Sequence, residues 1–299
     1  MFLEVSNVSK FIAGKKIIDN VSFELKENEI LGIVGRNGSG KTTLFKILLS
    51  MWDFDEGDVV YYCEPNLNFK QDIGYLPEQR GLFNREKVIN QLKLFAQLKG
   101  LNKQTASEKI TFWLDFFELG ELADYPINQL SKGNQQKVQF ILSVLNEPRL
   151  LILDEPFSGL DPLNRLYFEN AIKLLKKSGT TILFSSHDLK NVNNLSDRIL
   201  MLKNGVIAEQ GRVEDILKYY TKFVTINLEY QKLIPDLQIQ LEEKNIRYSI
   251  LATDMTINLS KDIDQQIFEQ IFTTKNLKMN FFTPNFEDVF KFINLEERI

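Results

Sequence analysis

Three short stretches of this chain carry glycine, amine, hydroxyl and carboxylate groups in the order that phosphate chemistry needs. GRNGSGKTT runs from Gly35 to Thr43, straight after an apolar stretch ending at Val34. Gly35, Gly38 and Gly40 let backbone N–H groups turn toward a phosphate, and the helix expected next presents its positive end there. Asn37, Ser39 and Thr43 complete the loop. Lys41 is placed to reach β- and γ-phosphates, and the Thr42 hydroxyl is of the kind that ligates Mg²⁺. The alternative is a glycine-rich turn with no ligand; an apolar strand before it and a helix after it argue against that.

LLILDEP, from Leu150, reads as an apolar strand delivering Asp154 to a metal, through water, with Glu155 next as the candidate base for an attacking water. An Asp-Glu pair alone could equally be a solvated strand end; the loop at 35–43 weighs against that. LSKGNQQK, Leu130–Lys137, opens a helix with Ser131 and Gly133, and such a start can bind a γ-phosphate. An ordinary serine N-cap is compatible with the same residues. His187, in SSHD, is the only histidine. A lone histidine is usually unremarkable, but this one follows a second apolar strand.

Taken in order, these motifs resemble the ATP-binding subunit of an ABC transporter, over residues 1 to about 215. The resemblance implies that Ser131 and Gly133 bind the ATP held by another subunit, so that the ATPase is assembled only as a dimer. It implies that Asp161, in SGLDP, helps set the dimer interface, and that His187 touches the γ-phosphate. Phe11, before the Ala13-Gly14 turn, matches the aromatic that stacks on adenine; among 23 phenylalanines, a core residue is the other reading. Glu78, in IGYLPEQRGLF, stands where the family has its Q-loop glutamine, with Gln79 following. Either could fill that role, and a carboxylate there can contact Mg²⁺ or its water. Lys132 and Asn134 depart from the commoner LSGGQ; a lysine beside phosphate is electrostatically sensible. YLPE is similar to the sodium- and drug-export branch. The tail, PNFEDVFKFI, resembles the accessory C-terminal domain of bacterial exporter ATPases of drug, sodium and peptide-antibiotic self-immunity type. Mg-ATP hydrolysis coupled to a separate membrane permease is the implied activity. Two copies, or this chain and a related ATPase subunit, would sandwich two ATP. Leu82 and Phe83, after Glu78, are expected to meet the permease, or else to be buried against the helical segment.

The elements that must hold these residues follow from periodicity. Residues 2–8 and 17–26 alternate as half-buried strands do, and Glu29–Val34 feeds the glycine loop. Thr42–Ser50 reads as a helix. From about 86 to 146 the spacing is helical, with Val88, Leu92, Phe95 and Lys99 on one face and Ile110, Leu114 and Phe117 on another. Strands at Leu150–Asp154 and Thr181–Ser185 flank a helix from Leu163 to Lys177, which implies a parallel sheet with covered faces. Asn204-Gly205 suggests a hairpin, and Val213–Tyr220 a short closing helix. The fold class is thus α/β: a P-loop ATPase core with mixed sheet and inserted helical subdomain over residues 1–220. Residues 221–299 follow a strand-helix-strand-strand-helix-strand order, with helices at 233–244 and 262–274, which is ferredoxin-like α+β. A last helix starts near Asn285.

A chain of 299 residues suggests about two domains. A net charge of −4 gives no general footprint for nucleic acid, and none is expected as a partner. The single cysteine, Cys63, excludes an internal disulfide and a cysteine zinc cluster, and fits a reducing cytoplasm. No stretch reaches the 18 or so apolar residues of a membrane span, so the expected location is cytoplasmic, peripheral to the membrane through the permease. Two rival readings differ in class. One is an importer ATPase of methionine type, whose ferredoxin-like tail senses a ligand. The other is a non-transport ABC ATPase: tandem translation factors need two glycine loops, chromosome ATPases a long coiled coil between Lys41 and Ser131, and repair relatives zinc cysteines. This chain offers none of these. A plain P-loop kinase would lack LSKGNQQ and SGLDP.

Overall fold

The structure is a computed structural model and describes residues 1–62, 67–79, 81–227, 234–251, 254–260, 266, 268 and 279–295. By compactness the chain forms two units, Met1–Ile207 and Ala208–Ile299.

The first unit opens with two long antiparallel strands, β1 (Leu3–Ile12) and β2 (Lys15–Leu25), joined by β4 (Glu56–Tyr61) on the other edge of β1. A second sheet contains β3 (Ile30–Val34), β5 (Ile73–Leu76), β6 (Leu150–Leu153), β7 (Thr181–Ser186), β8 (Arg198–Lys203) and β9 (Val206–Gly211), in the order β5-β6-β7-β3-β8-β9. The five strands from β5 to β8 run parallel. Every residue of β3 and β6 is buried, as expected of strands covered on both faces. α1 (Lys41–Leu48) buries Leu44, Phe45, Ile47 and Leu48 in a cluster shared with both sheets. α6 (Pro162–Lys177) connects β6 to β7, and α7 (Leu189–Leu195) connects β7 to β8. Asn204 and Gly205, both at positive φ (49° and 82°), turn β8 back into β9 as a two-residue hairpin requires.

The helical segment contains α3 (Val88–Leu98), α4 (Lys103–Phe116) and α5 (Lys132–Val144); α2 (Phe69–Asp72) is a single turn before β5. Its core is aromatic: Phe117 and Phe140 lie 5.5 Å apart, and Phe140 is 5.0 Å from Phe168 of α6. A close approach fixes α5 against β5. A Cβ added at Gly74 would stand 2.1 Å from the Ser143 carbonyl, so only glycine fits there.

In the second unit, α8 (Val213–Leu217) precedes β10 (Phe223–Asn227), α9 (Ile234–Glu243), β11 (Tyr248–Leu251), β12 (Asp254–Asn258), β13 (Met279–Phe282) and α10 (Phe286–Leu295). The strands form one antiparallel sheet, ordered β11-β12-β10-β13. Val224, Ile226, Leu241, Tyr248, Met255 and Ile257 make its core. The helix expected at 262–274 lies outside the described residues, Gln266 and Phe268 excepted. α10 starts on a reciprocal cap: Asn285 Oδ1 accepts from the Asp288 amide at 3.1 Å, and Asp288 Oδ2 accepts from the Asn285 amide at 3.0 Å.

Strands β4 and β5 and helix α7 were not expected from the pattern. β4 is largely exposed (EGDVVY), so no apolar alternation marks it. β5 has only four residues. α8 is shorter than expected and ends at Leu217.

Candidate nucleotide site

The glycine loop leaves β3 and enters α1 with its geometry fixed by close contacts. A Cβ at Gly35 would lie 2.4 Å from the Leu202 carbonyl, and Gly40 sits at φ 107°. Gly38, at φ 80°, has open space where a side chain would be, so the conformation alone demands glycine. Ser39, buried, accepts at its carbonyl from the Gly205 amide at 3.0 Å, and the Gly205 carbonyl accepts from the Asp19 amide at 2.8 Å. The hairpin turn of β8–β9 therefore braces the loop from behind. Asn37, Gly38, Gly40, Lys41, Thr42 and Thr43 line a cleft of about 510 Å³, with Glu78 and Glu155 opposite and Ile12 and Ile17 as apolar wall.

Lys41 is 6% exposed. Its ammonium donates to the carbonyl of Gly35 at 2.8 Å and of Arg36 at 3.3 Å, and pairs with Glu155 Oε1 at 3.4 Å. At the ends of β6 and β7 the polar groups interlock. Thr42 Oγ1 donates to Asp154 Oδ2 at 2.7 Å, and Ser185 Oγ donates to Asp154 Oδ1 at 2.6 Å. With a hydroxyl proton on each oxygen, Asp154 is the acceptor-only carboxylate. Ser185 Oγ also accepts from the Glu155 amide at 2.8 Å. That contact holds Glu155 in a left-handed conformation, φ 49°. His187 Nδ1 lies 2.8 Å from Glu155 Oε2.

The Thr42 hydroxyl and the Asp154 carboxylate form a hard oxygen pair of the type Mg²⁺ prefers. Glu78 faces the same cleft from the loop after β5. Burial pushes the Tyr75 phenol up to about 12, helped by the charges of Asp154 and Glu78, which marks the gathering of carboxylates at this sheet edge. No cluster of three or more histidine, cysteine or acidic side chains holds a metal among the described residues. Phosphate oxygens and water would have to complete the shell of a metal held by Thr42 and Asp154.

Other expected residues lie outside the cleft lining. Phe11 is not a core residue: it is 43% exposed, with Lys16 Nζ 5.6 Å from its ring centroid. Ser131 caps α5, accepting from the Asn134 amide at 3.2 Å, and its side chain is exposed. Asp161 caps α6 through the Asn164 amide at 2.9 Å, a hydrogen bond that holds its carboxyl below the usual range. Asn164 also stands 2.8 Å from where a Cβ at Gly133 would be, linking the SKG turn to SGLDP.

Four residues that the sequence did not single out organise the site. Ser185 ties Asp154 to Glu155. Asn164 packs beside Gly133 and is bonded to Asp161. Gln136 donates to the Pro156 carbonyl at 2.8 Å, beyond Glu155, and Gln139 donates to the carbonyls of Pro77 and Gln79. For Gln136 and Gln139 the available signal was a polar side chain at a buried helix position, and for Ser185 a hydroxyl in a buried strand.

Beside α5 and the loop after β5 runs a largely apolar groove of about 340 Å³, which includes Met51, Tyr75, Leu82, Phe95 and Leu142. Leu82 is half-buried in it. Phe83 is 52% exposed and packs on Phe95 with ring centroids 6.2 Å apart. Arg80 lies outside the described residues.

Comparison with known proteins places this geometry. Residues 18–158 match the family described as "ABC transporter". An ABC transporter ATP-binding protein of Methanocaldococcus jannaschii is 39% identical over 259 residues, spanning 83% of this chain and 96% of its own. Another, from Bacillus subtilis, is 37% identical over 273 residues, 90% of each. Among solved structures, an ATP-binding subunit of an ABC transporter superposes with a TM-score of 0.66 at 28% identity, covering 72% of this chain and 92% of that one. Further matches include proteins named for export and for import.

Proposed function

This chain belongs to the ABC transporter ATP-binding proteins, and on that premise we propose that it energises an exporter, by closing on ATP with a second ATPase subunit and reopening after hydrolysis. It is an ATPase of a family whose members work with membrane permeases and as dimers. One observation carries the reading: Lys41, Thr42 and Glu155 line one cleft, with Asp154 bonded to Thr42 and His187 to Glu155, whereas Ser131 and Gly133 neither line it nor bond to these residues. A γ-phosphate lying against Lys41 would meet the SKG turn of another subunit.

In this reading Gly35, Asn37, Gly38, Ser39, Gly40 and Thr43 cradle the phosphates and Lys41 anchors the β and γ groups. Thr42, Asp154 and Glu78 hold Mg²⁺, directly or through water; when bound, it neutralises charge on the transferring phosphate. Glu155 takes the proton of the attacking water, and His187 touches the γ-phosphate. Phe11 stacks on adenine, and Asp161 sets the interface. The ATPase domain ends near residue 220, where its motifs end. The strand order β11-β12-β10-β13 supports a ferredoxin-like accessory domain over 221–299. YLPE and the tail support export, and the groove lined by Leu82 and Phe95, on which Phe83 packs, suits a permease helix. No described helix is long and apolar enough to cross a membrane, which agrees with a cytoplasmic location beside a permease. A ferredoxin-like tail would also suit an importer with a ligand sensor; inhibition of the ATPase by transported ligand would favour that reading.

Glu155→Gln tests the core of the proposal. It keeps the shape of the side chain and removes the base. ATP binding should persist while turnover falls by about 10²–10⁴. Hydrolysis near the wild-type rate would exclude Glu155 as the base.

A further inference from the structure

The loop carrying Glu78 is held from an unexpected side. Gly74 allows α5 to lie directly against β5, with Ser143 at the point of contact. Gln139 is four residues earlier, on the same face of α5, and so lies beside the residues that follow β5. It is 6% exposed. Its Nε2 is 3.2 Å from the Pro77 carbonyl oxygen and 3.3 Å from that of Gln79. A glutamine amide has two N–H donors, and the two carbonyls flank one residue, Glu78. The peptide unit joining Pro77 to Glu78 and the carbonyl of Gln79 are thereby tethered, one on each side of Glu78, and Glu78 lines the cleft with Thr42 and Glu155. Gln139 also borders the apolar groove, alongside Leu82 and Pro77.

We propose that Gln139 is a positioning residue: by holding the carbonyls of Pro77 and Gln79 together, it sets the Glu78 carboxylate at the metal side of the nucleotide cleft. This rests on the reading that Glu78 contacts Mg²⁺ or its water. The same amide ties the residues flanking Glu78 to α5, whose N-terminus carries Ser131 and Gly133. A shift of α5 therefore moves the carboxylate in its own cleft together with the turn offered to the neighbouring subunit.

The test is calorimetric titration of the full chain with the non-hydrolysable analogue AMP-PNP, with and without Mg²⁺. The quantity read is the gain in affinity that Mg²⁺ confers. Glu78→Ala should reduce that gain. Gln139→Met, which keeps the volume but removes both donors, should reduce it by about tenfold, as loss of a group that orients a metal ligand does. Its Mg²⁺-free affinity should be unchanged, which a general packing defect would not leave intact. The double variant should show no more loss than Glu78→Ala alone. If Gln139→Met fails to fold, Gln139→Glu, isosteric and without an amide donor, should give the same loss. An unchanged Mg²⁺ gain in the Gln139 variants, with a reduced gain in Glu78→Ala, overturns the proposal and leaves the Glu78 reading standing. Additive losses in the double variant also overturn it, because Gln139 would then act elsewhere. An unchanged gain in Glu78→Ala overturns the Glu78 reading and the proposal with it.

Discussion

At the level of single residues, the site is built from groups that restrain one another before any ligand arrives. Glu155 illustrates this: its amide is bonded to Ser185, one carboxylate oxygen faces His187 and the other faces Lys41. Its left-handed backbone is uncommon for a side chain of this size and is held by those partners. Phe11 is held less closely: it is exposed, with Lys16 Nζ 5.6 Å from its ring centroid and its amide bonded to Asp55 Oδ2 at 2.6 Å. Phe11→Ala should therefore leave thermal stability nearly unchanged and weaken ATP binding by about 0.5–1.5 kcal/mol, the worth of an aromatic stacking contact. Calorimetry beside thermal denaturation checks both; unchanged affinity would remove Phe11 from the adenine site. The glycine, lysine and carboxylate positions were legible in the sequence because their chemistry demands those residue types. Ser185, Asn164, Gln136 and Gln139 were not. An amide or hydroxyl reveals its role only when the backbone carbonyl or carboxylate it bonds is known, and those partners lie 20 to 62 residues away for Gln136, Ser185 and Gln139.

Among the elements, strands buried on both faces and helices with apolar stripes were readable, since β3, β6 and α3 follow simple periodicity. β4 was hidden because it lies exposed at a sheet edge, and β5 because four residues carry too little pattern. The loop after β5 shows how an element can be held by polar bonds rather than by its apolar residues. Gln91, 1% exposed, accepts from the Phe83 amide at 3.1 Å and donates to the Phe83 carbonyl at 3.0 Å. The backbone therefore keeps its path when the neighbouring side chains change. Replacing Leu82 and Phe83 together by serine should leave ATP affinity within about twofold, as surface changes away from a site usually do, and should reduce co-purification with the permease. Recovery of the permease at wild-type levels would exclude these two side chains from the docking groove.

For the whole molecule, Ser131 and Gly133 are not in the lining of the chain's own cleft, and the proposed sandwich therefore predicts assembly on nucleotide. Glu155→Gln in the presence of ATP should shift the mass measured by light scattering from one chain to two, and removal of ATP should return it; a single-chain mass throughout would contradict assembly on nucleotide. The brace behind the glycine loop has a different consequence. Gly205 joins Ser39 and Asp19, positions far apart along the polypeptide. A ribosome releasing the chain N-terminus first exposes every residue from Gly35 to Thr43 long before the Asn204-Gly205 turn emerges. Non-local closure of this kind is slow and comes after local structure. The glycine loop therefore gains its brace late in biosynthesis, and a nascent chain stalled short of the hairpin carries the complete phosphate motif without that support.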